Sequence, residues 1–175
     1  MYRIRLRRMD ELETKIRSTI TKVEVDLVGQ GVTNVSTWTR SLMNELYELA
    51  NEHFHLRVWT GSNNDYDPTT NEWLYDMVWY ESFDERGLEI KSIHMIMESE
   101  WNRSLEAIKY DFYKLLQGRA KLRVMLFQAN DVSLVIQQLV GIIQQSSISE
   151  NGDKYLLVGW NDDDGFSFTS HVKTI

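Results

Sequence analysis

The residues of this sequence best suited to chemistry are three acids. Ile93 to Trp101 reads IHMIMESEW, an apolar strand pattern that ends in two carboxylates, Glu98 and Glu100, where apolar or turn residues are expected. Side chains two apart on a strand project from one face, and at about 3.3 Å per residue the two would stand roughly 7 Å apart. Asp76 lies within the preceding strand-like run, LYDMVWY, where aspartate is disfavoured. The 22 residues separating it from Glu98 (98 − 76) are enough for a hairpin that sets both on neighbouring strands. Three clustered carboxylates repel one another and suffer desolvation. A hard divalent ion, Mg²⁺ or Mn²⁺, offsets that charge. So held, it would polarise a phosphodiester and lower the pKa of a bound water. The competing reading is that Glu98 and Glu100 end a strand on a solvated face while Asp76 pairs with Arg57, Lys91 or Arg123.

Elements to position these acids follow from the periodicity. Met9, Leu12, Ile16 and Ile20 recur at helical spacing, and a second helix begins near Ser36, its expected N-cap, with Trp38, Leu42, Leu46 and Leu49 on one stripe. His55–Thr60 reads as a strand, and a polar loop, GSNNDYDPTTN, follows it. Glu72–Glu81 and Leu88–Glu100 then form an antiparallel hairpin, with Trp73, Trp79, Tyr80 and Phe83 as core or interface. A helix with Leu105, Ile108, Phe112, Leu115 and Leu116 on one face stops at Gly118. The strand Leu122–Gln128 makes this a crossover between parallel strands. Asn130 is the expected cap of a helix over Val132–Gln145, the strand within NGDKYLLVGW follows, and Gly165–Val172 reads as an edge strand. The predicted fold class is an α/β sandwich with a central mixed sheet of four or five strands flanked by helices. It forms a single domain over 1–175, with an N-terminal helix and connecting segment (1–35) and a core (36–175).

Composition bounds the partners. The 175 residues carry 42% hydrophobic residues, no cysteine and a net charge of -7, which removes disulfides and thiolate chemistry and disfavours passive coating of a polyanion. No apolar run approaches the ~20 residues of a membrane span, and no secretory leader is legible, so no membrane partner and a cytoplasmic location are expected. Between Trp101 and Gln128, six basic residues (Arg103, Lys109, Lys114, Arg119, Lys121, Arg123) face only Glu106 and Asp111. Arg103, Lys109 and Lys114 are the candidates for a nucleic-acid backbone, with Lys114 one candidate to approach the carboxylates; a plain solvated helix face is the alternative. His94 is expected to point with Glu98 if its strand is regular. The run Asn161–Gly165 lacks the glutamate and flanking helices of a calcium loop and reads as an acidic turn.

An acid in one strand, then E-x-K or a variant closing the next, then a helix and a further strand, resembles the PD-(D/E)XK (restriction endonuclease-like) nuclease superfamily. Here the motif reads Asp76, then Glu98-Ser99-Glu100, similar to the E-x-E variant of BamHI-type enzymes, over roughly Trp38–Trp160. No proline precedes Asp76 and no lysine stands at 100. The resemblance implies a Mg²⁺-dependent (or Mn²⁺-dependent) DNA-cleaving core, with DNA favoured over RNA as the nucleic-acid partner, and many such relatives act as homodimers. It also implies a further catalytic acid on the helix before the sheet, matched by Glu45, beside Asp76, Glu98 and Glu100. The alternative is a catalytically inactive module on the same fold, acting as an immunity or accessory protein on a protein partner.

Overall fold

The computed structural model describes residues 2–60, 74–87 and 89–174, with side chains from residue 11 onward. The expected loop 61–71, Trp73 and Leu88 lie outside them. Six strands form one sheet in sequence order: β1 (Arg57–Thr60), β2 (Met77–Ser82), β3 (Ile90–Glu100), β4 (Leu122–Gln128), β5 (Lys154–Asn161) and β6 (Gly165–Val172). The pairs β1–β2, β2–β3 and β5–β6 are antiparallel, and β3–β4 and β4–β5 are parallel. The sheet is thus mixed as expected, but with six strands rather than four or five, because both terminal hairpins extend it.

Burial explains the layers. Every residue of β4 is buried, as a central parallel strand covered on both faces requires. Leu122, Val124 and Leu126 pack with Met95 and Met97 against α1 (Tyr2–Gly29) and α2 (Val35–Glu48). Met125 and Phe127 pack with Ile96 and Val78 against α3 (Leu105–Gln117) and α4 (Val132–Gln145). Leu12, Ile16, Ile20, Val23 and Leu27 of α1 are all buried in the first of these cores, as their spacing predicts. A single π-helical turn (Leu49–His53) extends α2 toward β1.

The caps differ from expectation by one or two residues. Asn34, not Ser36, accepts from Thr37 N at the start of α2. Asp131, not Asn130, accepts from Leu134 N at the start of α4. Gly118 ends α3 as expected.

The C-terminus of α4 is closed by a distant lysine. Lys173, only 5% exposed, donates from Nζ to the carbonyls of Ile143 (2.8 Å), Gln144 (2.5 Å) and Ser146 (3.3 Å). A buried cation there both satisfies orphan carbonyls and meets the negative end of the helix dipole. Lys173→Met is expected to cost about 2 kcal/mol, a hydrogen-bonded buried group being lost. Urea denaturation checks it; an unchanged midpoint would mean that solvent caps the helix equally well.

Candidate functional site

Asp76 is not inside a strand but at a bend one residue before β2. Met77 pairs with Met97, so the next step of the antiparallel register sets Asp76 beside Glu98. Val78 and Ile96, two residues from each, face α3, and side-chain alternation puts both carboxylates on that same face. Asp76 and Glu98 therefore converge, as the sequence predicts.

Their environments differ. Glu98 is 1% exposed. Its Oε2 accepts from Lys114 Nζ at 3.2 Å, while Oε1 has no hydrogen-bond partner among the described residues. Burial and the adjacent Asp76 push its pKa up to about 8, against the pull of Lys114. Half-buried Asp76 accepts at Oδ2 from both the backbone N and the Oγ of Ser99, each at 2.7 Å. Its pKa is also raised by burial, with the Ser99 bonds and Lys114 opposing. All of its hydrogen bonds to the described residues fall on Oδ2, so Oδ1 has no partner among them.

Lys114 comes from α3. Its ammonium lies between Glu98 Oε2 and Asp111 Oδ1, the latter at 2.8 Å and one helical turn away. Partial burial pulls its pKa down, but the bonds to Asp111 and Glu98 prevail and leave it raised. The ammonium is therefore charged throughout the neutral range, and 36% of its side chain remains exposed. The E-x-E pattern has no cation at position 100; here one arrives from the following helix.

The other predicted residues stand elsewhere. Glu100 follows Glu98 on β3, but its Oε1 accepts from Asn102 N at 2.7 Å, which turns it toward the loop leading into α3. Glu45 sits on α2, over the opposite face of the sheet, and pairs with Lys22 of α1 at 2.9 Å. Arg103 is held by Asp162 at 2.6 Å and by Asn130 at 3.0 Å. Lys109 makes no ion pair among the described residues. Among those residues, no three His, Cys, Asp or Glu side chains gather as a metal site; Asp76 and Glu98 stand as a pair.

No protein-family model, curated protein or solved structure matches this chain.

His94 departs from the expected register. Trp79 pairs with Met95 and Tyr80 with Ile93, so His94 is the extra residue of a β-bulge. The bulge re-aims it away from the Glu98 face and against Lys121 Nζ at 2.7 Å, in a cleft lined also by Leu12 of α1 and Glu81 of β2. Arg123 is likewise structural: 4% exposed, it donates to Gly118 O and Ala120 O and pairs with Asp153 at 3.2 Å, closing the α3–β4 connection. The turn after β5 is the acidic turn expected, with Asn161 Oδ1 accepting from Asp163 N and Asp164 N.

The residues that sequence reasoning missed are Ser99, which fixes Asp76, and Asp111, which fixes Lys114. Asp111 was findable, because its i,i+3 spacing to Lys114 puts the two on one helix face. Nothing in the sequence marks the two hydrogen bonds that Ser99 donates to Asp76.

Proposed function

We propose that this protein is a divalent-metal-dependent nuclease that hydrolyses DNA phosphodiesters at Asp76, Glu98 and Lys114. One observation carries the reading: a buried carboxylate oxygen, Glu98 Oε1, without a hydrogen-bond partner among the described residues, beside a second carboxylate whose Oδ1 likewise bonds none of those residues. Buried polar atoms are ordinarily satisfied, and leaving one unpaired in a low dielectric is costly whether the carboxyl is protonated or ionised. Two such oxygens are the donors a hard cation takes. The other buried orphan among the described residues, Trp101 Nε1, is a donor and serves no cation.

Asp76 and Glu98 would hold Mg²⁺ or Mn²⁺, which when bound supplies Lewis-acid polarisation of a phosphoryl oxygen and a more acidic water. Ser99 holds Asp76 in one rotamer by binding Oδ2 from two donors, which leaves Oδ1 presented. Lys114 fixes Glu98 through Oε2 and leaves Oε1 presented. Its exposed ammonium also offers fixed positive charge where a phosphate in transition gains negative charge. The placement of Asp76 one residue before β2 and of Glu98 near the end of β3 agrees with the PD-(D/E)XK order, and Lys114 fills the role of that pattern's usual lysine from a different element.

Titrating Mg²⁺ at pH 8 while following thermal unfolding tests the proposal. At ten times the dissociation constant, mass action stabilises by about 1.4 kcal/mol, or roughly 3–6 °C for a chain of this size. Asp76→Asn and Glu98→Gln are expected to lose the rise, and Mg²⁺-dependent cleavage of plasmid or single-stranded DNA is expected to go with it. A wild type with neither response overturns the nuclease reading and leaves the inactive, protein-binding module.

A further inference from the structure

The outward face of α3, adjoining the carboxylate pair, carries aromatic rings in water. Tyr110 is 72% exposed and Tyr113 47%. Three residues apart on a helix, they are surface neighbours, and Lys109, four residues before Tyr113, neighbours that ring. Neither phenol makes a hydrogen bond to the described residues, and Lys109 makes no ion pair with them. The patch is continuous with the site: Lys114 Nζ is 5.7 Å from the centre of the Tyr110 ring and 3.2 Å from Glu98 Oε2.

The surrounding cations decide which polymer this face suits. A duplex is held chiefly through its phosphates, by many basic side chains at once. Around α3 most of those side chains are occupied: Arg103 with Asp162, Arg119 with Glu150, Arg123 with Asp153 and Lys121 against His94, while Lys114, held by Asp111 and Glu98, belongs to the carboxylate site itself. Lys109 remains for a phosphate. One such cation at the edge of two exposed rings gives little hold on a duplex, whose base faces are stacked away. It matches a strand whose bases are open to stack on aromatic side chains, a sequence-tolerant contact.

We infer that Tyr110 and Tyr113 form a base-stacking platform, with Lys109 as its phosphate contact, that delivers single-stranded nucleic acid to the carboxylate site. The inference rests on the nuclease reading for what happens to the strand, but binding is measurable without cleavage.

Fluorescence anisotropy of a fluorescein-labelled dT12, with the full-chain protein in EDTA, reads the platform directly. The single strand is expected to bind more tightly than a duplex of the same length. Tyr110→Ala and Tyr113→Ala are each expected to weaken it about tenfold, within the range for loss of one stacked base, while Tyr110→Phe retains binding because the ring is kept. Lys109→Ala is expected to lower the slope of log affinity against log salt by about 0.7, the value for one phosphate on a single strand. Both tyrosines are exposed, so the variants should melt with the wild type. A duplex bound as tightly as dT12, or alanine variants that bind dT12 like the wild type, overturns the platform. In that event a Mg²⁺ response that Glu98→Gln abolishes still supports the nuclease reading. Conversely, tyrosine-dependent binding with no Mg²⁺ response keeps the strand-binding surface and overturns its role in delivery.

Discussion

In metal-free buffer, raising the pH from about 5 to 8 is expected to destabilise the protein by about 2–3 kcal/mol, and Glu98→Gln is expected to remove most of that loss. The sign follows from the proton count. Burial and Asp76 raise the folded-state pKa of Glu98 to about 8, whereas the unfolded glutamate titrates near its ordinary value of about 4.3. Between those limits the native protein holds a proton that the unfolded chain has released, so stability falls as pH rises. It is greatest below the unfolded pKa and is lost progressively up to the folded one. At about 1.4 kcal/mol per pH unit the ceiling is near 5 kcal/mol. Water reaching the site past Asp76 and the exposed part of Lys114 reduces it. For a chain of this length the expected change corresponds to roughly 4–12 °C in melting temperature.

The variant separates two views of the Glu98–Lys114 contact. Were it a buried ion pair that stabilises the fold, removing one partner would cost about 3–5 kcal/mol. If instead Glu98 is a destabilised carboxylate awaiting a cation, Glu98→Gln is expected to be more stable than the wild type at pH 8 by about 2 kcal/mol and close to it at pH 5. A residual slope of the same sign is expected from Asp76, whose pKa burial also raises. Thermal melts of both proteins in EDTA at pH 5, 6.5 and 8 check this. A Glu98→Gln protein less stable than the wild type at pH 8 would falsify it.

Much of the fold was legible because burial writes itself into sequence. Leu122–Gln128 has the bounds expected of a fully covered strand, and Met95, Met97, Val124 and Val158 fill the core their spacing implies. What escaped depended on choices between near-equal alternatives or on geometry that leaves no trace in residue type. Asn34 and Ser36 both qualify as caps, as do Asn130 and Asp131, and only the backbone path chooses. The bulge at His94 reverses the alternation of β3 without a glycine or proline to announce it. In the site, strand pairing could be anticipated, so Asp76 and Glu98 meet. Glu100 shares their face, yet its carboxylate is captured by a backbone N–H two residues on. Glu45 was assigned from its place on the helix before the sheet, and helical periodicity cannot say which side of the sheet that helix will cover. Sequence order thus brought two acids together and left the third and fourth elsewhere, while the cation came from a helix.

That cation carries the largest effect expected on activity. Lys114→Met is expected to lower Mg²⁺-dependent turnover by about 10²–10³-fold, the loss typical of one preorganised donor for developing charge. Lys114→Arg is not expected to restore it. The space between Asp111 Oδ1 at 2.8 Å and Glu98 Oε2 at 3.2 Å suits a compact ammonium, and a planar guanidinium is not its equivalent at such a site. A lysine that merely held Glu98 in place would behave otherwise: its removal would weaken metal binding, and saturating Mg²⁺ would return the turnover. The two roles separate when turnover is measured across Mg²⁺ concentrations for the wild type and for Lys114→Met. A deficit that persists at saturation places the ammonium on the reacting phosphate, because at that point Asp76 and Glu98 are filled and only transition-state charge is left to stabilise. A deficit that vanishes assigns Lys114 to positioning alone.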